Sequence, residues 1–407
     1  MSKVLIIGGG ASGMIAAYFA AQKGDDVILI EKNEKLGKKI YITGKGRCNL
    51  TNDVPVAEFF GNVVTNPKFL YGCVHSFSPK DVCDFFESLG LRLKTERGNR
   101  VFPASDKASD VTKVLERALR ELGVRILLNT EIASVVAENG VVKGVVSKNG
   151  KVIEGDSVIV CTGGISYPLT GSTGAGYAFA AACGHSVVVP KAALVGIELK
   201  GKDFLPLQGL SLKNVRLTVN CGSKKVFGDF GEMLFTHFGI SGPIVLSCSS
   251  YINRLPSENL VATIDLKPVL TEEVLDARLL RELETNRNKT ISTVVRSLEP
   301  ASLVEIILRR AQISPSKSCA EITKEERKRI IETLKNLAFK IKCLRPIDEA
   351  IVTSGGVNVS EINPKTMESK KVKGLFFAGE VLDVDCLTGG FNLQVAFSTG
   401  CAAGKNA

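Results

Sequence analysis

A glycine-rich turn near the start of the chain restricts its fold more than any other feature. Val4–Ile7 is a short apolar run, Gly8-Gly9-Gly10-Ala11-Ser12-Gly13 follows at once, and Met14–Gln22 is rich in helix formers. Strand, tight turn and helix in that order make the first half of a dinucleotide-binding unit. Gly8 permits the turn, Gly10 lets the backbone approach a pyrophosphate, and Gly13 lets the helix pack closely on the strand; Ala11 and Ser12 complete the contact set. A second apolar run, Val27–Ile30, ends in Glu31, 18 residues after Gly13. A carboxylate there accepts hydrogen bonds from ribose hydroxyls and repels a 2′-phosphate, which disfavours NADP and leaves FAD and NAD open. Lys32 belongs with the same contacts.

The far end of the chain separates those two. Gly374–Phe377 is an apolar run that leads into Gly379, Glu380 and Asp383, and Leu387-Thr388-Gly389-Gly390-Phe391-Asn392-Leu393-Gln394 opens a final helix. Simple NAD dehydrogenases have no use for this arrangement. In FAD enzymes of the glutathione-reductase type, such a strand brings an acid to the ribityl and pyrophosphate region, and the last helix points its positive end at the flavin pyrimidine. Between the two ends lie a helix over about 107–122, a strand over 124–128, hairpin signals at Asn139-Gly140, Asn149-Gly150 and Glu154-Gly155-Asp156, and a strand Val158–Cys161 leading into Thr162-Gly163-Gly164. A small meander at that point, with Ile132 near its start, is what FAD domains of this type carry.

At 407 residues the chain suits two domains with a smaller appendage, and 44% hydrophobic with 23% charged residues fits a globular α/β protein. The apolar N-terminus resembles an export signal, but Gly8, Gly9, Gly10 and Gly13 would interrupt the helix such a signal needs. No apolar run is long enough to span a membrane. The eleven cysteines are scattered without a CxxC pair or zinc-ligand spacing, so no metal is expected, and reduced thiols in a cytoplasmic protein are. Net charge is +10, and residues 276–345 hold 16 Lys or Arg against 9 Asp or Glu. Such a segment either meets phosphates or is a solvated helical face.

Beyond the glycine-rich turn, three further stretches resemble the BaiN/RdsA-like family of NAD(P)/FAD-dependent oxidoreductases. They are Thr43-Gly44-Lys45-Gly46-Arg47-Cys48-Asn49-Leu50-Thr51-Asn52, Glu232–Pro243 around His237, and Gly389–Gln394; Thr353–Val357 extends the likeness over nearly the whole chain. The resemblance implies an α/β fold: a Rossmann-like, three-layer FAD-binding domain, with a parallel sheet plus an antiparallel meander, formed by 1–189 and 347–407. Its insert would comprise a β-rich subdomain, 190–270, and a basic helical subdomain, 271–346. Helix breaks fall near Pro300 and Pro315. No second complete glycine fingerprint marks a separate NAD(P)H domain, and Gly171–Gly176 reads better as a flavin-side loop or helix start.

By resemblance the activity is reduction of an activated carbon-carbon double bond, with uridine in ribosomal RNA and steroid-like bile-acid enones as the two substrate classes. Either reaction needs a reduced flavin, NADH or NADPH to reduce it, a group that polarises a carbonyl, and an acid. The family pattern places Gly44, Arg47, Cys48 and Asn49 beside the cofactor. Arg47 would meet phosphate or a substrate carbonyl. Cys48 is either the acid or a packing residue, and His237 is either an acid and hydrogen-bond donor or a loop-fixing group. The basic segment favours ribosomal RNA over a small enone. An electron carrier or oxidase, and a binding protein stabilised by FAD, are the other classes open; oligomeric state is not legible.

Overall fold

A computed structural model describes residues 1–407. The chain forms two compact units, one from Met1–Ala193 with Pro346–Ala407 and one from Leu194–Arg345.

The first unit is built on β1 (Lys3–Ile7), α1 (Ala11–Gln22), β2 (Asp26–Ile30), α2 (Ala108–Glu121), β3 (Arg125–Leu127), β4 (Ser157–Val160), β5 (Leu375–Phe377) and α3 (Phe391–Asn406). The five strands make one parallel sheet in the order β5-β4-β1-β2-β3. Past their first residues the central strands are wholly apolar because both faces are covered, and Val4, Leu5, Ile6, Val158, Ile159 and Val160 are all 0% exposed. An antiparallel meander, Ile132–Glu138, Val141–Ser147 and Val152–Glu154, follows β3, and Asn139 and Gly140 both take positive φ in its first turn. Helices α1 and α3 cross at very close range. A Cβ on Gly400 would lie 2.4 Å from the Ser12 carbonyl oxygen, and one on Gly404 would lie 2.3 Å from that of Ala16. Two glycines one turn apart thus fix the register of α3 on α1, and with it the position of the α3 N-terminus.

The chain leaves this unit along Val187–Ala193 and returns along Val352–Val357, which pair antiparallel. In the second unit six strands close a barrel in the order 197–199, 239–241, 224–235, 211–221, 260–265 and 337–344. Helices Glu272–Thr285, Ile291–Leu298, Ala301–Arg310 and Lys324–Lys335 lie between its last two strands. One boundary of the sequence reading is corrected here. The stretch read as helical to its end contains the closing strand Leu337–Leu344, where Leu337, Phe339 and Ile341 are buried and Lys340 and Lys342 are exposed. That alternation has period two and belongs to a strand. No helix of the protein is long and apolar enough to cross a membrane.

Candidate functional site

The glycines of the first turn divide by what surrounds them. Gly8 has φ +105°, and a Cβ there would lie 2.5 Å from the Cys161 carbonyl oxygen; a Cβ on Gly13 would lie 1.9 Å from the carbonyl oxygen of Gly8. Both are required by the protein's own packing. Gly10 is different: φ −83° and ψ −166° suit any residue, and a Cβ there would meet nothing within 4 Å. Glycine therefore keeps open a space at the head of α1 that the protein does not fill. The first intrahelical bond runs from the Met14 amide to the Gly10 carbonyl at 3.0 Å, so the amides of Ala11, Ser12 and Gly13 head the helix without intrahelical partners. These residues fit a dinucleotide pyrophosphate, which needs backbone donors and close approach. The Ser12 hydroxyl instead donates to the Ala378 carbonyl at 3.3 Å, tying the turn to the end of β5.

Glu31 is 8% exposed. Its Oε2 accepts from the Gly9 amide at 2.7 Å, and its Oε1 accepts from the Asn33 amide at 2.8 Å and the Asn33 side chain at 2.6 Å. A carboxylate has about four acceptor sites, so three fixed donors leave room for one ribose hydroxyl. Lys32 donates to Thr173 Oγ1 at 2.9 Å, and Asn33 Nδ2 to the Thr170 carbonyl at 3.1 Å, which lays the loop before helix Ala175–Ala182 beside Glu31. Ile132 is buried at the head of the meander. Past β4, Thr162 Oγ1 is buried without a hydrogen-bond partner, Gly163 has φ +72°, and a Cβ on Gly164 would lie 2.3 Å from Thr353 Oγ1.

Several residues expected at the cofactor are engaged by the protein itself. Glu380 accepts from Lys39 Nζ at 2.7 Å, from Ser166 Oγ at 3.0 Å and from the Thr353 amide at 2.9 Å. Asp383 accepts from Asn66 Nδ2 through both its carbonyl, at 2.7 Å, and its carboxylate, at 3.1 Å. Asn392 Oδ1 accepts from the Cys386 amide at 3.0 Å while Nδ2 donates to the carbonyls of Cys386 and Leu387, clamping the loop ahead of α3. Gln394 is wholly buried, accepting from Thr51 Oγ1 at 2.6 Å and donating to the Phe77 carbonyl at 2.9 Å and Ser398 Oγ at 3.0 Å. The side chain that reads as a cofactor contact is a core hydrogen-bond node. Gly379 has φ +80°, Gly389 φ +126° and Gly390 φ +104°; a Cβ on Gly390 would lie 2.4 Å from the Thr51 carbonyl oxygen. Leu393, in the first turn of α3, is half-buried.

The Thr43–Asn52 loop departs furthest from expectation. Gly44, Lys45, Gly46 and Cys48 all have positive φ, so the loop is a compact left-handed coil. Arg47 pairs with Glu96 and, at 2.7 Å through Nε, with Asp106, and its guanidinium lies 4.2 Å over the Phe102 ring. Both carboxylates, Glu96 first, raise its pKa further. Lys94 shares both carboxylates, so two cations and two acids make a neutral cluster, and a guanidinium committed to it has little charge to offer a phosphate or a substrate carbonyl, which argues against the role expected of it. Cys48 is 0% exposed, and burial pushes its thiol up to about 12. It packs in the core and is a poor acid at neutral pH. Asn49 Oδ1 is buried without a hydrogen-bond partner. His237 belongs to the second unit, exposed on the turn between Lys224–Phe235 and Gly239–Ser241 with its ring against Phe238. Lys39 and Ser166 escaped the sequence reading, and Thr353 entered it only as the start of a family-like stretch with no role of its own. Their only signal is their convergence on Glu380, which no spacing reveals.

Comparison with known proteins agrees with this geometry. The family model described as HI0933-like protein Rossmann domain matches residues 2–406. A 3-dehydro-bile acid delta(4,6)-reductase of Clostridium scindens is 32% identical over 100% of this chain and 99% of its own length. A ribosomal RNA dihydrouridine synthase of Haemophilus influenzae is 33% identical over 98% and 97%. The fold is shared with 3-ketosteroid delta1-dehydrogenase from Sterolibacterium denitrificans, at TM-score 0.52 and 13% identity over 99% of both chains. With a glycine turn open at Gly10, a sheet of the matching kind and full-length relatives above 30% identity, the chain belongs to the HI0933-like family of flavoprotein oxidoreductases.

Proposed function

We propose that the first unit holds FAD and that the protein reduces an activated carbon-carbon double bond with electrons from NADH or NADPH, the substrate being uridine in ribosomal RNA. Gly10 carries the cofactor part of this reading, because its glycine is explained by a ligand and by nothing in the protein. The amides at the head of α1 would receive the pyrophosphate, and the remaining acceptor site of Glu31 a ribose hydroxyl. Gly389 and Gly390 would let the positive end of the 16-residue helix α3 lie close to the pyrimidine, favouring negative charge there. Glu380, held by Lys39, Ser166 and Thr353, acts as a positioning group at the end of β5. FAD, when bound, supplies a hydride at N5 to the carbon β to a carbonyl. The acid that must serve the neighbouring carbon is not Cys48, which is sealed in the core.

The substrate assignment is supported by ribosomal RNA dihydrouridine synthases of Haemophilus influenzae and Escherichia coli, which match at 33% and 31% identity over 97% of their lengths. A steroid-like enone is the second reading, favoured by the bile-acid reductase at 32%. The test is dihydrouridine content of ribosomal RNA from cells with and without the gene, followed by restoration with purified protein, FAD and NADH or NADPH. Loss and restoration of one modified position is the expected result. Unchanged RNA, with turnover of a bile-acid enone in vitro, would reverse the assignment.

A further inference from the structure

A small three-stranded sheet stands against the head of α3. Its strands are Thr51–Asn52, Arg100–Pro103 and Leu93–Glu96, with Asn52 facing Arg100, Arg100 facing Glu96 and Phe102 facing Lys94. Paired residues share a face, and alternate residues along a strand return to it, so Asn52, Arg100, Glu96, Phe102 and Lys94 lie on one side. The sheet is tied to α3 through Asn52. Its Nδ2 donates at 3.0 Å to the Gly389 carbonyl and at 3.0 Å to the Gly98 carbonyl, which holds those two oxygens within about 6 Å of each other. Gly98 and its neighbour Asn99, at φ +78° and +57°, form the tip of the hairpin that joins Leu93–Glu96 to Arg100–Pro103. A loop this short has no slack, so Arg97 and Arg100, which flank the tip, sit beside the glycines that open the head of α3.

The charges at this hairpin do not cancel. Arg47 and Lys94 neutralise Glu96 and Asp106, two cations against two acids. Asp53 lies towards Cys83, whose thiol is raised by burial and, in part, by that carboxylate. Arg97 and Arg100 are exposed and enter no ion pair. A 3.0 Å bond from Arg100 Nε to the Arg97 carbonyl fixes the direction of the Arg100 side chain and leaves its two terminal nitrogens free. The helices of 276–345 also carry unpaired cations, Arg281 and Lys324 among them. What distinguishes Arg97 and Arg100 is their place. A uridine whose base meets the flavin at the head of α3 brings the phosphates on either side of it to the same neighbourhood, and a guanidinium offers phosphate a forked, two-bond contact.

We infer that this hairpin tip grips the RNA backbone beside the reacting uridine, with Arg97 and Arg100 on its phosphates. The inference rests on the RNA reading above. It is tested on the flavin-loaded protein with a fluorescein-labelled, uridine-containing single-stranded RNA of about 16 nucleotides, by anisotropy between about 50 and about 200 mM salt. Arg97→Gln/Arg100→Gln is expected to weaken binding about tenfold or more at low salt and to lower the salt slope by about 1.4, since each phosphate contact on a single strand contributes about 0.7. Arg97→Lys/Arg100→Lys removes the Nε bond but keeps the charge, and should retain the parent slope and bind within about threefold of the parent. Lys143→Gln/Lys151→Gln, an equal loss of charge at exposed, unpaired positions of the meander, should bind as the parent does.

Flavin absorbance and melting temperature report folding of each variant. Should the double glutamine variant misfold, Arg97→Gln alone decides, because the Arg97 side chain has no partner in the protein to lose; its slope should fall by about 0.7. Glutamine variants that bind as the parent does, a meander variant that loses as much as they do, or a lysine variant no better than the glutamine one would overturn the hairpin and leave the RNA reading standing. A parent protein that shows no salt-dependent RNA binding would remove both.

Discussion

The two units leave different traces in the sequence. In the first, a complete local unit is present, with strand, glycine turn and helix in Lys3–Gln22, although β1 pairs with β4 across some 150 residues and Gly8 packs on Cys161 just past β4. In the second, the defining contacts are just as remote and no local fingerprint accompanies them. Ile197–Leu199 pairs with Leu337–Leu344 across some 140 residues, and Glu198 takes both Lys342 and Arg345. A fingerprint exists where backbone conformation is demanded locally, and none exists where a barrel is closed by residues whose only requirement is alternation. The charge distribution repeats the lesson. The basic stretch 276–345 looks like a free surface in one dimension, yet several of its acids of compensation come from Glu198, Asp203 and Asp265.

The sharpest contrast to test lies inside the glycine turn. Gly13→Val should cost about 3 kcal/mol or more, because backbone rather than a flexible side chain blocks the new Cβ, and urea unfolding of the purified protein would measure it. Gly10→Val should leave the unfolding midpoint of the flavin-free protein nearly unchanged while abolishing flavin retention, read as the ratio of absorbance at 450 and 280 nm, roughly the flavin and protein maxima. Equal destabilisation by both would erase the distinction between a packing glycine and a ligand glycine. Leu217→Ala in the barrel core should also cost about 3 kcal/mol, but with the flavin content of the folded fraction unaltered. Flavin loss in that variant would show the two units to be energetically inseparable.

Smaller effects probe the polar contacts. Gln394→Ala removes three buried hydrogen bonds and should cost about 2 kcal/mol in the flavin-free protein, where a cofactor-contact role would cost nothing. Acid sensitivity should come partly from Glu361. Burial alone would raise its carboxyl, yet the Lys371 ammonium and the amide and hydroxyl of Ser186 hold it at about 2. A depressed carboxylate contributes stability that is complete above its unfolded value, about 4.3, and is lost as pH falls through about 2. His185, which shares Glu361 at 3.1 Å, is lowered chiefly by burial, so below about pH 6.5 the unfolded chain binds a proton that the folded one refuses. Both terms destabilise in acid, and Glu361→Gln should flatten the midpoint-against-pH curve below about pH 4.5. The smallest effect is expected from Arg47→Gln: its exposed ion pairs with Glu96 and Asp106 should leave flavin retention at the parent level, and a large loss would return Arg47 to the cofactor.

What could be read in the chain follows from how far each contact reaches. The strand-turn-helix at 4–22, Glu31 at the end of β2, the meander turn at Asn139-Gly140 and the glycines ahead of α3 were legible because torsion angles and residue periodicity are properties of adjacent residues. The closing barrel strand was hidden by the helices that precede it. Residue type alone could not assign partners: Gln394 and Asn392 carry the right groups for a cofactor and spend them on Thr51, Phe77 and the 386–387 backbone. Arg47 spends its charge on Glu96 and Asp106, and Cys48 loses its acidity to burial. Lys39, Ser166, Thr353 and Glu380 meet from four separate stretches. Local sequence specifies backbone shape because the constraint is steric and immediate; the protonation and availability of a side chain depend on burial and partners, which exist only once distant segments have packed.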